Sequence, residues 1–571
     1  MGASGLLKGE NRRVSIIVFI LYSAFFLLFF SPYITHHSFP GISDNIVHLS
    51  IFKNYKIHFL AWLNGQNVGN ALYPTKGPQI FLEPYFGEAL LYNIVSLPFA
   101  SDRVGYYVLI SILYALNAFG LYMLCLQLAG NKMAAFLGGF IFAASAYSLS
   151  NYELLNGLVF FPSFFTLYYF ERYIKEDRAA LFFYAAIWAG AQAYFSLYFF
   201  LFLFFIVLII GMCRLVFKHW KWEAVKFKYF FVSLIIVLLV IAPVLLWLFY
   251  YAGMNGAYNP LANRPELVKN YSISIDDLLM GYPTNLLYGN FFQKPVSGTM
   301  KNVYYCNTGL LLAILFVISF FVKGKKQWAP YYIVFALGLL IALGPEIRVG
   351  SLSFSSPVKF IFDNERVSSF FRITGRAYNM SVLSLAIIGA FSFSFLLSKI
   401  NTSMGKALVL VSALVIFSVE NLPARLYTPD TRFIFSPDRQ YISYLEVQRN
   451  ALVLELPSSL FTNSVSDSLI ISEFGREYVY TYWQTLHGKN IINGSSAYFP
   501  QSRISNNVLI LNAKTPADIK ALIDQNAITT VVFHKKFVMN DREVSLLAVL
   551  RESPFLYTEL ENNEVVIYKV K

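Results

Sequence analysis

Through the first 420 residues, long apolar runs alternate with short polar links. The runs lie near 14–30, 104–128, 133–150, 158–170, 180–195, 197–213, 229–250, 304–322, 328–344, 377–397 and 405–420. Each is long enough, or nearly so, to cross a bilayer core of about 30 Å, so the pattern predicts about eleven transmembrane helices. The shorter runs would need local thinning or flanking aromatic residues, and the pair within 180–213 is the marginal one. The first run is not read as a cleaved signal. Its roughly 17 apolar residues exceed the 7–15 of a signal core, and no small-x-small site follows. The start MGASGL has Leu where a myristoylation signal needs Ser or Thr.

Four longer polar segments, 31–103, 251–303, 345–376 and 421–571, separate or follow the spans. Basic residues collect in the other links: Lys8, Arg12 and Arg13; Lys132; Arg172, Lys175 and Arg178; Arg214, Lys218, Lys221, Lys226 and Lys228; Lys323, Lys325 and Lys326; Lys399 and Lys406. The positive-inside rule puts those links, and the N-terminus, in the cytoplasm, so the four longer segments share the outer face. Residues 86–99 are apolar but short, contain Glu88 and end at Pro98, so they are expected to lie at the interface rather than to span. Residues 45–63 suggest a second interfacial helix, with Ile46, Leu49 and Phe52 spaced for one face and His48, Lys53 and Lys56 for the other.

After Asn421 the pattern turns soluble. NALVLEL, TTVVFHK and EVVIYKV read as strands, and 516–525 reads as a helix opened by Thr515 with Pro516 at its first position. Strands alternating with helices predict an α/β domain over 421–571, outside the membrane, behind a helical membrane domain over 1–420.

Only 13% of the chain is charged and 57% is hydrophobic, against about 25% charged in soluble proteins. The net charge of +13 is absorbed by the topogenic links, so nucleic acid is not an expected partner. Cys125, Cys213 and Cys306 have neither disulfide nor zinc-ribbon spacing. No Asp, Glu, Lys or Arg sits in the middle of a span, whereas ion-coupled transporters keep such groups in the bundle. No Walker A loop, dinucleotide fingerprint or nucleophile elbow is present. With no soluble cytoplasmic domain to bind a nucleotide-sugar, a sugar donor would have to arrive on a lipid.

The first polar segment gathers Asp44, His36, His37, His48, His58, Glu83 and Glu88. Asp44 opens a helical stretch, either as a cap worth about 1 kcal/mol or as a general base at the lipid–water boundary. His48 lies one helical turn further on, and with Glu83 or Glu88 it could hold a divalent metal through mixed N and O ligands. The alternative is that these are polar residues of the interface; no H-E-x-x-H signature accompanies them. Glu153 is the only acid in its link, either solvated or a second catalytic acid. Arg372 and Arg376, one turn apart before a span, could meet lipid headgroups or receive the phosphate of a lipid-linked sugar, which the planar fork of Arg suits. Arg366 is a third such cation.

These residues sit among phrases that bring a family to mind: LYPTKG (72–77), the stretch 116–156, DLLMGYP (277–283), LGPEIRVG (343–350), SSFFRITGRAYNM (368–380) and TYWQTLHGKNIINGSSAYFP (481–500). Through most of its length the chain resembles the GT-C superfamily of multispanning glycosyltransferases, and among them bacterial members. The resemblance implies a polytopic helical bundle of GT-C type and a donor carried on polyprenyl phosphate. It implies an essential acid in the first outer loop, where Asp44 stands, and a second after the third span, where Glu153 stands. An acid in the amphipathic helix before the second span would be Glu83 or Glu88. Glu153 replaces the more usual Asp, and Asn45 stands where some relatives pair acids, so metal dependence stays open. The implied activity is inverting transfer to an extracytoplasmic glycan, glycolipid or protein at the bacterial plasma membrane. The alternatives are a non-catalytic scaffold of that fold and a transporter of lipid-linked glycans.

Overall fold

The computed structural model describes residues 9–36, 38–39, 44–57, 85–152, 154–217, 224–255, 268–269, 271–279, 284–287, 306–322, 327–364, 373–424, 426, 431–458, 467–494 and 501–571. The chain folds as two compact units. One comprises Met1–Ser31, Tyr107–Val244 and Leu261–Tyr427; the other comprises Pro32–Tyr106, Leu245–Pro260 and Thr428–Lys571. The first large polar segment and the C-terminal region thus belong to the same unit.

The principal helices begin with α1 (Gly9–Thr35), α2 (Asp44–Ile57), α3 (Phe86–Val95), α4 (Asp102–Ala129) and α5 (Lys132–Ala143). There follow α6 (Phe161–Glu176), α7 (Ala179–Phe195), α8 (Leu197–Val216), α9 (Ala224–Asn255), α10 (Gly309–Ser319) and α11 (Ala329–Leu343). A hairpin of β1 (Glu346–Val349) and β2 (Leu352–Ser355) precedes α12 (Tyr378–Ser398) and α13 (Ser403–Asn421). Every apolar run of the sequence therefore carries a helix. Among the described residues, seven helical stretches are long and apolar enough to cross a membrane: Arg12–Thr35, Asp102–Ala129, Lys132–Ser150, Leu197–Val216, Tyr229–Leu246, Thr374–Ser398 and Ser403–Asn421. The chain is a polytopic helical membrane protein. Helix α3 has ten residues, about 15 Å at 1.5 Å per residue, half of what a span needs.

Helix α12 is the centre of the bundle, buried along most of its length and packed on α5, α10 and α11. Glycines make that approach close. A Cβ added to Gly338 of α11 would lie 2.7 Å from Met380 Cβ, and one on Gly138 of α5 would lie 3.0 Å from Ala390 Cβ. Small residues let helices meet backbone to backbone where lipid supplies no hydrophobic drive. By contrast, only 17% of α13 and of the 229–246 stretch is buried, as expected of helices facing lipid.

The charges of the bundle lie at helix ends. Arg214 of α8 pairs with Glu171 of α6 at 2.7 Å and donates to the Gln327 carbonyl at 2.8 Å, while the Tyr331 hydroxyl donates to Glu171 at 2.9 Å. Glu420, buried at the end of α13, accepts from Leu310 N at 2.8 Å and Leu311 N at 3.1 Å. Those are first-turn amides of α10, which have no partner within their own helix.

In the second unit, α14 (Arg439–Val447), α15 (Asp467–His487), α16 (Gln501–Asn512), α17 (Pro516–Asn526) and α18 (Asp541–Glu552) surround a five-stranded sheet. Its strands are β3 (Leu452–Leu456), β4 (Asn490–Ile491), β5 (Thr530–His534), β6 (Leu556–Glu561) and β7 (Val565–Val570), in the order β4-β3-β5-β7-β6. Strands β4, β3 and β5 run parallel, and β7 and β6 join antiparallel. All three strands expected from the sequence are present. So is the helix after Thr515, whose hydroxyl and Asp518 form a reciprocal cap.

Side chains alternate across this sheet. Leu452, Leu454, Leu456, Val531 and Phe533 build one core with Ile510, Ile519, Leu522, Leu546 and Leu550 of α16–α18. The opposite face carries Glu455 and His534, fully buried with Tyr441 of α14 and His487 of α15.

Candidate active site

Asp44 stands at the head of α2, where a carboxylate also complements the helix dipole. Its carboxylate is half-buried, and Oδ1 accepts a hydrogen bond from the Tyr478 hydroxyl of α15 at 3.3 Å. The two residues are 434 positions apart. Helix α2 packs on α15 and on α3, and residues 45–52 are all buried. The two-faced spacing of Ile46, Leu49, Phe52 against His48, Lys53 and Lys56 therefore reads differently in the fold. His48 and Lys53 are used inside the unit, whereas Lys56 stays exposed at the end of the helix.

His48 shows this. Its Nε2 lies 2.9 Å from the Tyr85 hydroxyl, with ring centroids 4.5 Å apart. Tyr85 precedes α3 with φ at 47°, the left-handed region. A bulky residue there costs about 1–3 kcal/mol and persists only when its surroundings hold it; the His48 contact is one such hold. Glu88, one turn into α3, is fully buried.

A second node lies one turn along α2. Asp102, at the start of α4, takes the Lys53 ammonium at 2.7 Å, the Tyr92 hydroxyl at 3.1 Å and the Tyr482 hydroxyl at 3.3 Å. One carboxylate thus joins α2, α3, α4 and α15. Burial, with Asp102 beside it, pushes the Tyr92 phenol well above its usual range. Phe39 meets Phe435 with ring centroids 5.3 Å apart and planes tilted by 60°, a third tie between the first polar segment and the C-terminal region.

Arg376 belongs to the bundle unit. It sits in the 3₁₀ turn Thr374–Ala377 just before α12, buried, with its guanidinium 4.7 Å over the Tyr198 ring at the start of α8. The turn is pinned: Tyr147 Oη donates to Gly375 O at 2.8 Å, and Gly375 N donates to Tyr271 O at 3.0 Å. The neighbouring link is pinned too, as Asn117 donates to Leu158 O at 2.7 Å and Gln192 to Val159 O at 3.0 Å.

Glu153, Glu83, Arg372, Arg366, His37 and His58 lie outside the described residues. Asp44, His48 and Glu88 are thus in one unit and Arg376 in the other. Among the described residues, no three His, Cys, Asp or Glu side chains are grouped to hold a metal, and His48 Nε2 is engaged by Tyr85. Asp102, Tyr478 and Tyr482 were not candidates from sequence. The signal available was the one-turn spacing of the two tyrosines beside the family-like phrase that begins at Thr481.

No protein-family model and no curated protein sequence matches the chain. Among solved structures it is similar to the arabinofuranosyltransferase AftD from Mycobacteria, at 12% identity and a TM-score of 0.60. The match covers 98% of this chain and 40% of that one, so the chain spans well under half of AftD. Two looser similarities have TM-scores below 0.5. One, at 0.47, is ArnT from Cupriavidus metallidurans, solved with undecaprenyl phosphate, with 11% identity over 99% of this chain and 98% of that one. The other, at 0.41, is the oligosaccharyltransferase AglB from Archaeoglobus fulgidus, solved with an inhibitory peptide and a dolichol-phosphate, with 10% identity over 98% and 76%. The likeness to AftD is one of fold: this chain has the GT-C-type architecture that the sequence resemblance implied.

Proposed function

We propose that the protein is an inverting membrane glycosyltransferase that moves a sugar from a polyprenyl-phosphate donor to an extracytoplasmic glycan, glycolipid or protein. The observation that carries this reading is Asp44: a half-buried carboxylate at a helix head, oriented by a tyrosine, in a chain whose fold is shared with an arabinofuranosyltransferase. Asp44 takes the proton of the acceptor hydroxyl as that oxygen attacks the anomeric carbon. The bond from that carbon to the phosphate oxygen breaks, its electron pair leaves with the polyprenyl phosphate, and the configuration inverts. Arg376, with Arg372, receives the phosphate, so the leaving group needs no general acid. Glu153 assists the acceptor. If a divalent ion takes part, His48, Glu83 and Glu88 are the side chains to hold it, and it would add charge neutralisation at the phosphate.

In this reading the N-terminus is cytoplasmic and the sheet-bearing region lies outside the plasma membrane of a bacterium. Residues 1–420 form the membrane domain and 421–571 present the acceptor. The test uses the full-length chain in lipid nanodiscs with a panel of radiolabelled polyprenyl-phosphate pentoses and hexoses and a cell-envelope acceptor extract. General-base catalysis is worth about 10²–10⁴-fold, so Asp44→Asn should lower turnover at least a hundredfold with an unchanged melting profile. Near-normal turnover in that variant removes Asp44 from the mechanism. Donor binding without turnover by the wild type across the panel supports the scaffold, and movement of the intact labelled lipid across liposomes supports the transporter.

A further inference from the structure

The β1–β2 hairpin is an amphipathic ribbon at the end of a bundle helix. Its register pairs Ile347 with Phe354 and Val349 with Leu352, and on the other face Glu346 with Ser355 and Arg348 with Ser353. The polar face is tethered. Glu346 pairs with Lys269 at 2.7 Å and accepts from Ser353 Oγ at 3.2 Å; Arg348 donates to the Lys269 carbonyl at 2.7 Å; Gly350 N donates to Asp276 at 2.6 Å. The apolar face is bare: Leu352 is 61% exposed, Phe354 55% and Val349 39%, with Phe360 just beyond at 72%.

The hairpin's direction is set where it leaves α11. Gly344 has φ of +72°, and a Cβ there would lie 1.9 Å from Ser272 Oγ, so the chain turns at a residue that must be glycine. Segment 271–279 then links the ribbon to the start of α10, through Ile275 N to Arg348 O at 2.9 Å and Thr308 N to Leu278 O at 3.2 Å. At that same end Leu310 of α10 is 62% exposed, the first residue of that helix's outward apolar stripe.

We infer that the β1–β2 hairpin is a membrane-surface anchor whose Val349, Leu352 and Phe354 face inserts at the headgroup–acyl boundary beside the ends of α10 and α11. Three observations select a lipid surface as occupant. The face sits at the end of the bundle where the exposed apolar stripe of α10 begins at Leu310 and runs on through Ile314 and Val317. Exposed Lys359 flanks Phe360, the pairing of cation and aromatic that suits an anionic interface. And a few side chains fall far below the roughly 1,200–2,000 Å² that a stable protein interface buries, which disfavours a second copy. In water, the same flat apolar ribbon would be an aggregation site.

The experiment uses the full-length chain in phosphatidylethanolamine–phosphatidylglycerol liposomes. In a Cys213→Ala background, with Cys125 and Cys306 buried, an environment-sensitive fluorophore is attached after Leu352→Cys, Phe354→Cys, Ser353→Cys or Ser355→Cys. Probes at 352 and 354 should be quenched severalfold more by acyl-brominated lipid than by aqueous iodide, and probes at 353 and 355 the reverse. Iodide quenching of all four alike places the ribbon in water and overturns the inference. Protection of 352 and 354 from both quenchers means that protein covers the face, which also overturns it. Independently of any substitution, a lipid bearing a diazirine near its glycerol should crosslink the wild-type chain within 345–360, and its failure to do so counts against the anchor.

Discussion

The two units bury charge in different ways. In the bundle, buried acids and bases stand at helix ends and answer the backbone: Glu420 takes two first-turn amides of α10, and Arg214 donates to the Gln327 carbonyl as well as to Glu171. In the sheet-bearing unit, buried side chains answer one another as well as the backbone, which Arg476 reaches at Phe537 O (3.0 Å) and Glu477 at Gly494 N (2.8 Å). Arg503 meets Glu477 at 3.0 Å, Arg476 meets Glu543 at 2.7 Å, and Glu455 gathers Tyr441 at 2.7 Å and His534 at 2.6 Å. A membrane helix already satisfies its own backbone between its ends, so only the ends need help. A mixed sheet wrapped by helices leaves room for polar groups between layers, and each must then find another.

The sharpest way to break this contrast is to orphan one member of a fully buried pair. Arg503→Met removes the cation that faces Glu477 and should cost about 3–5 kcal/mol, since breaking a buried ion pair from one side leaves the other charge its desolvation penalty. Hydrogen exchange on the full-length chain should show the loss at β3, β4 and α15, with α12 unaffected.

Acid should act next, and on the same unit. Burial alone would raise Glu455, but the hydrogen bond with His534 at 2.6 Å and the nearby His487 at 3.7 Å outweigh it and hold the carboxyl at about 2, below its usual 4.5. Its contribution is therefore complete above pH 4.5 and lost as pH falls through 2. The effect is on the order of 3 kcal/mol. Protection factors around β3 and β5, followed from pH 6 downward, should fall in that window, and Glu455→Gln should flatten the response. A flat wild-type profile would show that the histidines do not stabilise the carboxylate.

The smallest effect belongs to the bundle. Glu420→Gln keeps the shape but exchanges a charged cap for a neutral one, at about 1–2 kcal/mol. The loss should be confined to the first turn of α10. A loss as large as that of Arg503→Met would erase the distinction between the two units.

Legibility in the sequence followed the same divide. The eleven apolar runs became helices because a run of that length in lipid has no other way to satisfy its backbone. Their ends were less legible. The run near 158–170 continues as α6 through Glu176, since Glu171 finds Arg214 and Tyr331, a partnership no local spacing announces. Strands β3, β5 and β7 were readable from their alternating β-branched residues. The β1–β2 hairpin was equally readable, through EIRV-GS-LSFS with two residues between alternating runs, but its phrase was taken only as a family likeness. Asp44 was found because an acid before an apolar helix is a local pattern. Tyr478, Tyr482 and Asp102 were not, because what makes them matter is a contact across hundreds of residues.

That long reach has a consequence for biogenesis. Translation delivers residue 44 some 434 positions before residue 478, which at about 5–20 residues per second is a wait of roughly 20–90 s. Throughout that interval the surface that α2 is meant to rest on has not been made. The nascent chain can thread its early helices into the bilayer, yet the acidic loop gains its support only once α15 has been made, so this loop matures long after its own synthesis.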